Sequence, residues 1–136
     1  MRYDVVIIGA GAAGFACALT LGSANDKFDW AKDKKYLILD DNKSDLNVGK
    51  YFNVAGVDSG INGVDLLLKM KKQLEIYKDV ELKDEKATKI ENLGEYFKIT
   101  TENSTYEASI VVLATGLHKF DIECEGVNVK DNIFVP

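Results

Sequence analysis

Apolar residues fall into two kinds of run along the chain, and the boundary between the two kinds gives the organisation. Val5–Ile8, Tyr36–Leu39 and Ile110–Leu113 are continuous apolar runs, the pattern of parallel strands buried on both faces. Ala87–Ile90, Tyr96–Thr100 and Thr105–Ala108 are short and alternating, with Asn92-Leu93-Gly94 and Glu102-Asn103-Ser104 as turns between them. Alternation of that length predicts antiparallel strands with one solvated face. Between these groups lies a helical stretch, Gly63–Tyr77. There Val64, Leu67, Met70, Leu74 and Tyr77 are expected to make one apolar face, while Lys69, Lys71, Lys72 and Glu75 point outward. Asn62 is the expected N-cap, with Asp65 placed to favour the helix dipole. Val80–Leu82 completes the count as a short third parallel strand. The expected fold class is therefore α/β: a Rossmann-like parallel sheet from Tyr3–Ile8, Tyr36–Leu39, Val80–Leu82 and Ile110–Leu113, with an inserted three-stranded antiparallel meander over Ala87–Ala108.

The first apolar run leads into the most informative stretch. Gly9, Gly11 and Gly14 have the G-x-G-x-x-G spacing. A helix of small residues follows, containing Ala12, Ala13, Ala16, Ala18 and Leu19. In a strand–glycine–helix unit the first glycine permits the tight turn, the second lets backbone approach a pyrophosphate, and the third lets helix and strand pack closely. The free N–H groups of the first helical turn then face an anion, with the helix dipole behind them. The second strand ends in Asp40-Asp41, where an acid can accept from ribose hydroxyls. Asp40 lies 26 positions after Gly14, against ~20 in the usual pattern. The polar stretch Ser23–Lys35, with Phe28 and Trp30, reads as a long connection that absorbs the excess. Asn42–Gly60 is rich in breakers and reads as a loop over the ligand edge or the sheet.

Composition narrows the function. The 136 residues match the size of one domain. A net charge of −5 and a pI near 4.9 give no basic footprint for nucleic acid. No apolar stretch approaches the ~20 residues of a membrane span, and the short apolar start lacks signal-peptide features. The two cysteines, Cys17 and Cys124, form neither a C-x-x-C pair nor a metal cluster, so no metal site is expected and a reducing cytoplasm is the expected setting. Cys17, inside the small-residue helix, reads as a buried thiol. Cys124 has no basic neighbour to activate it. His118 is the sole histidine and reads as a surface loop residue.

The order of these parts resembles the FAD-binding portion of the two-dinucleotide-binding-domain flavoproteins, the pyridine nucleotide-disulfide oxidoreductase superfamily, most closely its thioredoxin reductase-like branch. The resemblance runs over about Arg2–Gly116. It is carried by the glycine loop, the acid-ended second strand, the segment Val48–Glu75, and Tyr106-Glu107-Ala108 followed by Val111-Val112-Leu113-Ala114-Thr115-Gly116. It implies that Gly9, Ala10, Gly11, Ala12, Ala13 and Gly14 hold the FAD pyrophosphate. It also implies that Asp40, beside Asp41, takes the place of the family's ribose-binding Glu, and that Ala114, Thr115 and Gly116 pass near the cofactor. The redox C-x-x-C, a second G-x-G-x-x-G for NAD(P)H and the later Gly-Asp segment are missing from these residues. Leu117–Val127 replaces the usual continuation. The apolar run Asn132-Ile133-Phe134-Val135-Pro136 suggests either a piece of a longer flavoprotein or an added edge strand.

Two functions follow as expectations. One is an FAD-dependent oxidoreductase domain in which electrons pass through the flavin, completed by a missing C-terminal region or a homo-oligomer. The other is a dinucleotide-binding or interaction module without catalysis, with NAD or an adenine nucleotide as ligand. Asp40 disfavours a 2′-phosphate, and hence NADP.

Overall fold

A computed structural model describes residues 2–116 and 123–125 of the chain. Its elements are β1 (Arg2–Ile8), α1 (Ala12–Asn25), β2 (Tyr36–Asp40), β3 (Lys50–Tyr51), β4 (Ile61–Asn62), α2 (Gly63–Leu74), β5 (Val80–Asp84), β6 (Ala87–Asn92), β7 (Phe97–Thr101), β8 (Thr105–Leu113) and β9 (Glu123–Glu125). Short 3-10 turns cover Asp29–Ala31 and Asp45–Val48.

The main sheet runs β5-β2-β1-β8-β7-β6-β9. The first four strands are mutually parallel, with Val5 opposite Tyr36 on one side and Ile110 on the other. β6, β7 and β8 pair antiparallel as the meander. The architecture is Rossmann-like α/β with a three-stranded antiparallel insertion. A separate two-stranded ladder joins Lys50 to Asn62 and Tyr51 to Ile61.

The continuous apolar runs are continuous because both faces of the sheet are covered. Val6, Ile8, Leu37 and Leu39 pack with Ala87, Ile90, Ile99 and Tyr106 of the meander. Val5, Ile7, Tyr36 and Ile38 pack on the other face with Phe15 and Ala18 of α1 and Leu74 of α2. Each fully buried aliphatic side chain here contributes about 1.5–3 kcal/mol relative to exposure. Met70 and Tyr77 lie against this second cluster, as core residues.

Several boundaries differ from the sequence expectation. β8 is one strand of nine residues, not the two separate runs expected at Thr105–Ala108 and Ile110–Leu113. Its first part pairs with β7, from Thr105 to Ala108, and it pairs with β1 from Glu107 to Leu113. The meander therefore shares a strand with the parallel sheet. Ile110 is 55% exposed and Leu113 39%, so this run is not buried on both faces among the described residues. α1 continues through Ser23 to Asn25, into the expected connection. Ser23 Oγ donates to Thr20 O, and Asn25 is held between Lys34 O and the Tyr36 hydroxyl. Tertiary bonds thus outweigh the weak helix propensity of these residues. α2 stops at Leu74, with Glu75 as C-cap. Its buried face runs through Gly63, Leu66 and Leu74, and Val64 is exposed, a correction to the expected apolar stripe. Asn62 does cap α2, its Oδ1 accepting from Asp65 N–H at 2.8 Å. Asp65 Oδ2 accepts in return from Asn62 Nδ2 at 2.6 Å. β9 has no counterpart in the sequence reading. His118 and the run Asn132–Pro136 lie outside the described residues.

Candidate dinucleotide site

The C-terminal ends of β1, β2 and β8 meet at one edge of the sheet, where parallel α/β folds place their ligands. Gly9 N–H donates to Leu39 O and Ala114 N–H to Ile8 O, both at 2.8 Å. These two bonds tie the three strand ends together at the start of the glycine loop.

The three glycines stand in different surroundings. Gly9 has φ +101°, and a Cβ there would overlap the Ala114 carbonyl. This position needs glycine twice over, for its backbone conformation and for the approach of β8. A Cβ at Gly14 would overlap the Gly9 carbonyl oxygen, so α1 sits as close to the strand as two backbones allow. Gly11 has φ −77° and ψ −168°, extended backbone open to most residues. A Cβ there would meet one neighbour, Ser44 Oγ at 3.5 Å. The absent side chain at Gly11 therefore leaves space on the outer side of the loop.

α1 begins at Ala12, with Gly11 as N-cap and no side-chain hydrogen bond to the cap; its first turn holds no acidic residue. Phe15 N–H bonds to Gly11 O at 3.0 Å. The N–H groups ahead of it, on Ala12, Ala13 and Gly14, have no intrahelical acceptor. Donors, dipole and free space coincide beside Gly11, and that combination fits a pyrophosphate.

Asp40 closes the other side. It is half-buried. Its Oδ1 accepts from Ala10 N–H at 2.7 Å, and its Oδ2 accepts from Asn42 N–H at 3.1 Å. Asn42 adopts φ +60° in doing so. Each carboxylate oxygen keeps a second lone pair. Asp41 is exposed and accepts from Lys43 N–H at 3.1 Å within its own turn. The structure thus brings Gly9, Ala10, Gly11, Ala12, Ala13, Gly14, Asp40, Ala114 and Thr115 into one neighbourhood, while the Asp41 carboxylate, next in the chain to Asp40, is engaged with its own turn. Gly116 has φ +75°, and a Cβ on it would lie 3.9 Å from Asp45 Oδ2. Cys17 is half-buried within α1, and burial raises its thiol above the usual value.

Sequence reasoning did not single out the wall facing the glycine loop, the 3-10 turn Asp45–Val48 and its cap Ser44. The local signal was present, since Ser44 accepts from Leu46 N–H at 3.3 Å as an N-cap serine does. Its position opposite Gly11 depends on tertiary packing. A Cβ at Gly63 would overlap the Leu46 carbonyl, so the start of α2 packs backbone to backbone against this turn. Gly63 N–H donates to Gly49 O at 3.0 Å, and the Tyr51 hydroxyl to Leu46 O at 3.2 Å.

Residues 3–135 match the family described as pyridine nucleotide-disulphide oxidoreductase. The chain is 32% identical over 114 residues to a thioredoxin reductase of Treponema pallidum, covering 84% of this chain and 35% of that protein. Among solved structures, it superposes on a thioredoxin reductase from Streptococcus pyogenes with a TM-score of 0.70 at 34% identity, over 85% of this chain and 35% of the other. A thioredoxin reductase from Gloeobacter violaceus gives a TM-score of 0.73 at 28% identity, over 85% and 37% of the two chains. The chain spans about a third of the length of these relatives.

Proposed function

We propose, from the premise that the chain belongs to the pyridine nucleotide-disulphide oxidoreductase family, that it is the FAD-binding part of a thioredoxin reductase-like flavoprotein oxidoreductase. The observation that carries this reading is the coincidence at Gly11 of open space with the uncapped start of α1. The first-turn N–H groups hold the pyrophosphate, and Asp40 accepts from the adenosine ribose. Ala114 and Thr115 form the floor beneath the glycine loop. When bound, FAD supplies the electron transfer. The chain's own residues bind and orient it, and the 136 residues carry no C-x-x-C pair to take electrons onward. A single domain over residues 1–136, acting within a longer flavoprotein or an oligomer, fits the partial coverage of the relatives. No helix among the described residues is long and apolar enough to cross a membrane.

The test is the visible absorbance of the purified chain before and after incubation with FAD. Flavin bands that stay with the protein through gel filtration support the reading. Their absence, together with calorimetric binding of NAD and no measurable calorimetric binding of FAD, favours the non-catalytic nucleotide module instead. Gly11→Val removes the binding in either case, because a branched side chain fills the phosphate space.

A further inference from the structure

We infer that the Ser44 hydroxyl is the side-chain donor that closes the pyrophosphate cradle, opposite the start of α1; this rests on the dinucleotide reading above. Ser44 Oγ lies 3.5 Å from where a Gly11 Cβ would stand, so it borders the space that the missing side chain leaves. The oxygen accepts from Leu46 N–H, which occupies a lone pair. Its single proton has no acceptor among the described residues and remains to be donated. α1 offers no side-chain group at this point, because its cap is Gly11 and its first two residues are Ala12 and Ala13. Every protein contact from the helix side is therefore a backbone N–H, and Ser44 adds a hydroxyl from the facing wall.

The hydroxyl is also held in place. Ser44 O accepts from Asn47 N–H at 3.1 Å, which closes the 3-10 turn behind it. The backbone contact between Leu46 and Gly63 fixes that turn on α2. A donor positioned in advance loses little conformational freedom when an anion arrives, and a charge-assisted bond is stronger than a neutral one. The ligand feature recognised is a phosphate oxygen, so the effect belongs to ADP and FAD and not to adenosine.

Capping and phosphate binding make opposite demands on a replacement, and this separates them. Asp caps a helix start about as well as Ser, but it donates nothing and carries a negative charge toward the phosphates. Calorimetry compares ADP and adenosine on the full chain, as wild type and as Ser44→Ala, Ser44→Asp and Ser44→Thr. Ser44→Ala is expected to weaken ADP roughly tenfold, the loss of one hydrogen bond to a charged group. Ser44→Asp is expected to weaken it further while its melting temperature stays at the wild-type value. Ser44→Thr keeps the hydroxyl and keeps ADP affinity, and adenosine affinity is unchanged throughout. Wild-type ADP affinity in Ser44→Asp overturns the inference, as does an equal loss of ADP and adenosine, which would mark a structural role in the loop. If Gly11→Val abolishes ADP binding and the Ser44 variants do not, the inference fails and the dinucleotide site stands. A wild-type chain that binds neither ADP nor FAD overturns both.

Discussion

Three residues of one type serve the glycine loop for different physical reasons, and substitution separates them. At Gly14 the added methyl meets the Gly9 backbone, which cannot move without disturbing β1 and β8. Gly14→Ala is therefore expected to destabilise the fold by about 1–3 kcal/mol, the usual cost of overpacking, seen as a lower denaturation midpoint with or without ligand. At Gly11 the backbone is unstrained and the space beside it open, so Gly11→Val is expected to melt within a few degrees of wild type while losing the dinucleotide. Equal melting losses in both variants would remove the distinction. The two acids make a similar pair. Asp40→Ala is expected to weaken adenosine-containing ligands by about 1.5–3 kcal/mol, the range for a hydrogen bond to a charged group. Asp40 also anchors Ala10 N–H, so part of that loss comes through the loop. Asp41→Ala, at a side chain engaged only with its own turn, is expected to leave affinity unchanged; calorimetry on both variants checks this.

At the scale of elements, one carboxylate adds to the shared strand β8 in holding the meander to the link that follows β5. Glu85, between β5 and β6, accepts from the Thr101 hydroxyl at 2.6 Å and the Tyr106 hydroxyl at 2.7 Å. These bonds, from Thr101 first and then Tyr106, hold its carboxyl below the usual value. A carboxylate with a depressed folded-state pKa stabilises the fold above its unfolded value. That stability fades as pH falls from about 4.5 through the lower folded value. Asp79, which accepts from Lys35 and then Asn25, is shifted in the same direction. The denaturation midpoint is expected to drop as pH falls from 5 toward 3, and Glu85→Gln is expected to flatten part of that slope. An unaltered slope in Glu85→Gln would show that the carboxylate does not couple the meander to pH. The strands β1, β2, β5, β6 and β7, the glycine loop and the Asn62 cap were legible in the sequence, because each is written in residues within a few positions of one another; the two-residue strands β3 and β4, in and beside a stretch read as loop, and β9 were not. The wall at Ser44 was not, because it depends on Gly63 meeting Leu46 across the fold. Nor was the unity of β8, since Ser109 looks like a break until β1 and β7 are seen to share one strand. The exposure of Val64 escaped for a related reason: periodicity gives a helix its stripe, but the α1 packing decides which neighbouring positions are covered.

For the whole molecule, the described residues gather contacts suited to one end of a dinucleotide. The glycine loop, Asp40 and the Ser44 wall all stand at the adenosine and pyrophosphate end of the proposed site, and no described group presents itself for the isoalloxazine. Past Ala108, β8 keeps β1 as its ladder partner while the pairing with β7 ends. Ile110 is left 55% exposed on a strand whose sequence is that of a buried one. A ligand held at one end forgoes the contacts of the other, and each tenfold of affinity forgone is ~1.4 kcal/mol. The 136-residue chain by itself is therefore expected to bind FAD weakly and below stoichiometry. It is also expected to show no NAD(P)H oxidation with a general electron acceptor beyond that of free flavin. The measurement is flavin content per chain after gel filtration, with the oxidation assay on the same fractions and their mass from light scattering. Tight stoichiometric FAD with steady turnover from monomeric fractions would overturn this, and would place the missing flavin contacts within the chain itself. Turnover confined to oligomeric fractions would instead mean that a second copy supplies them.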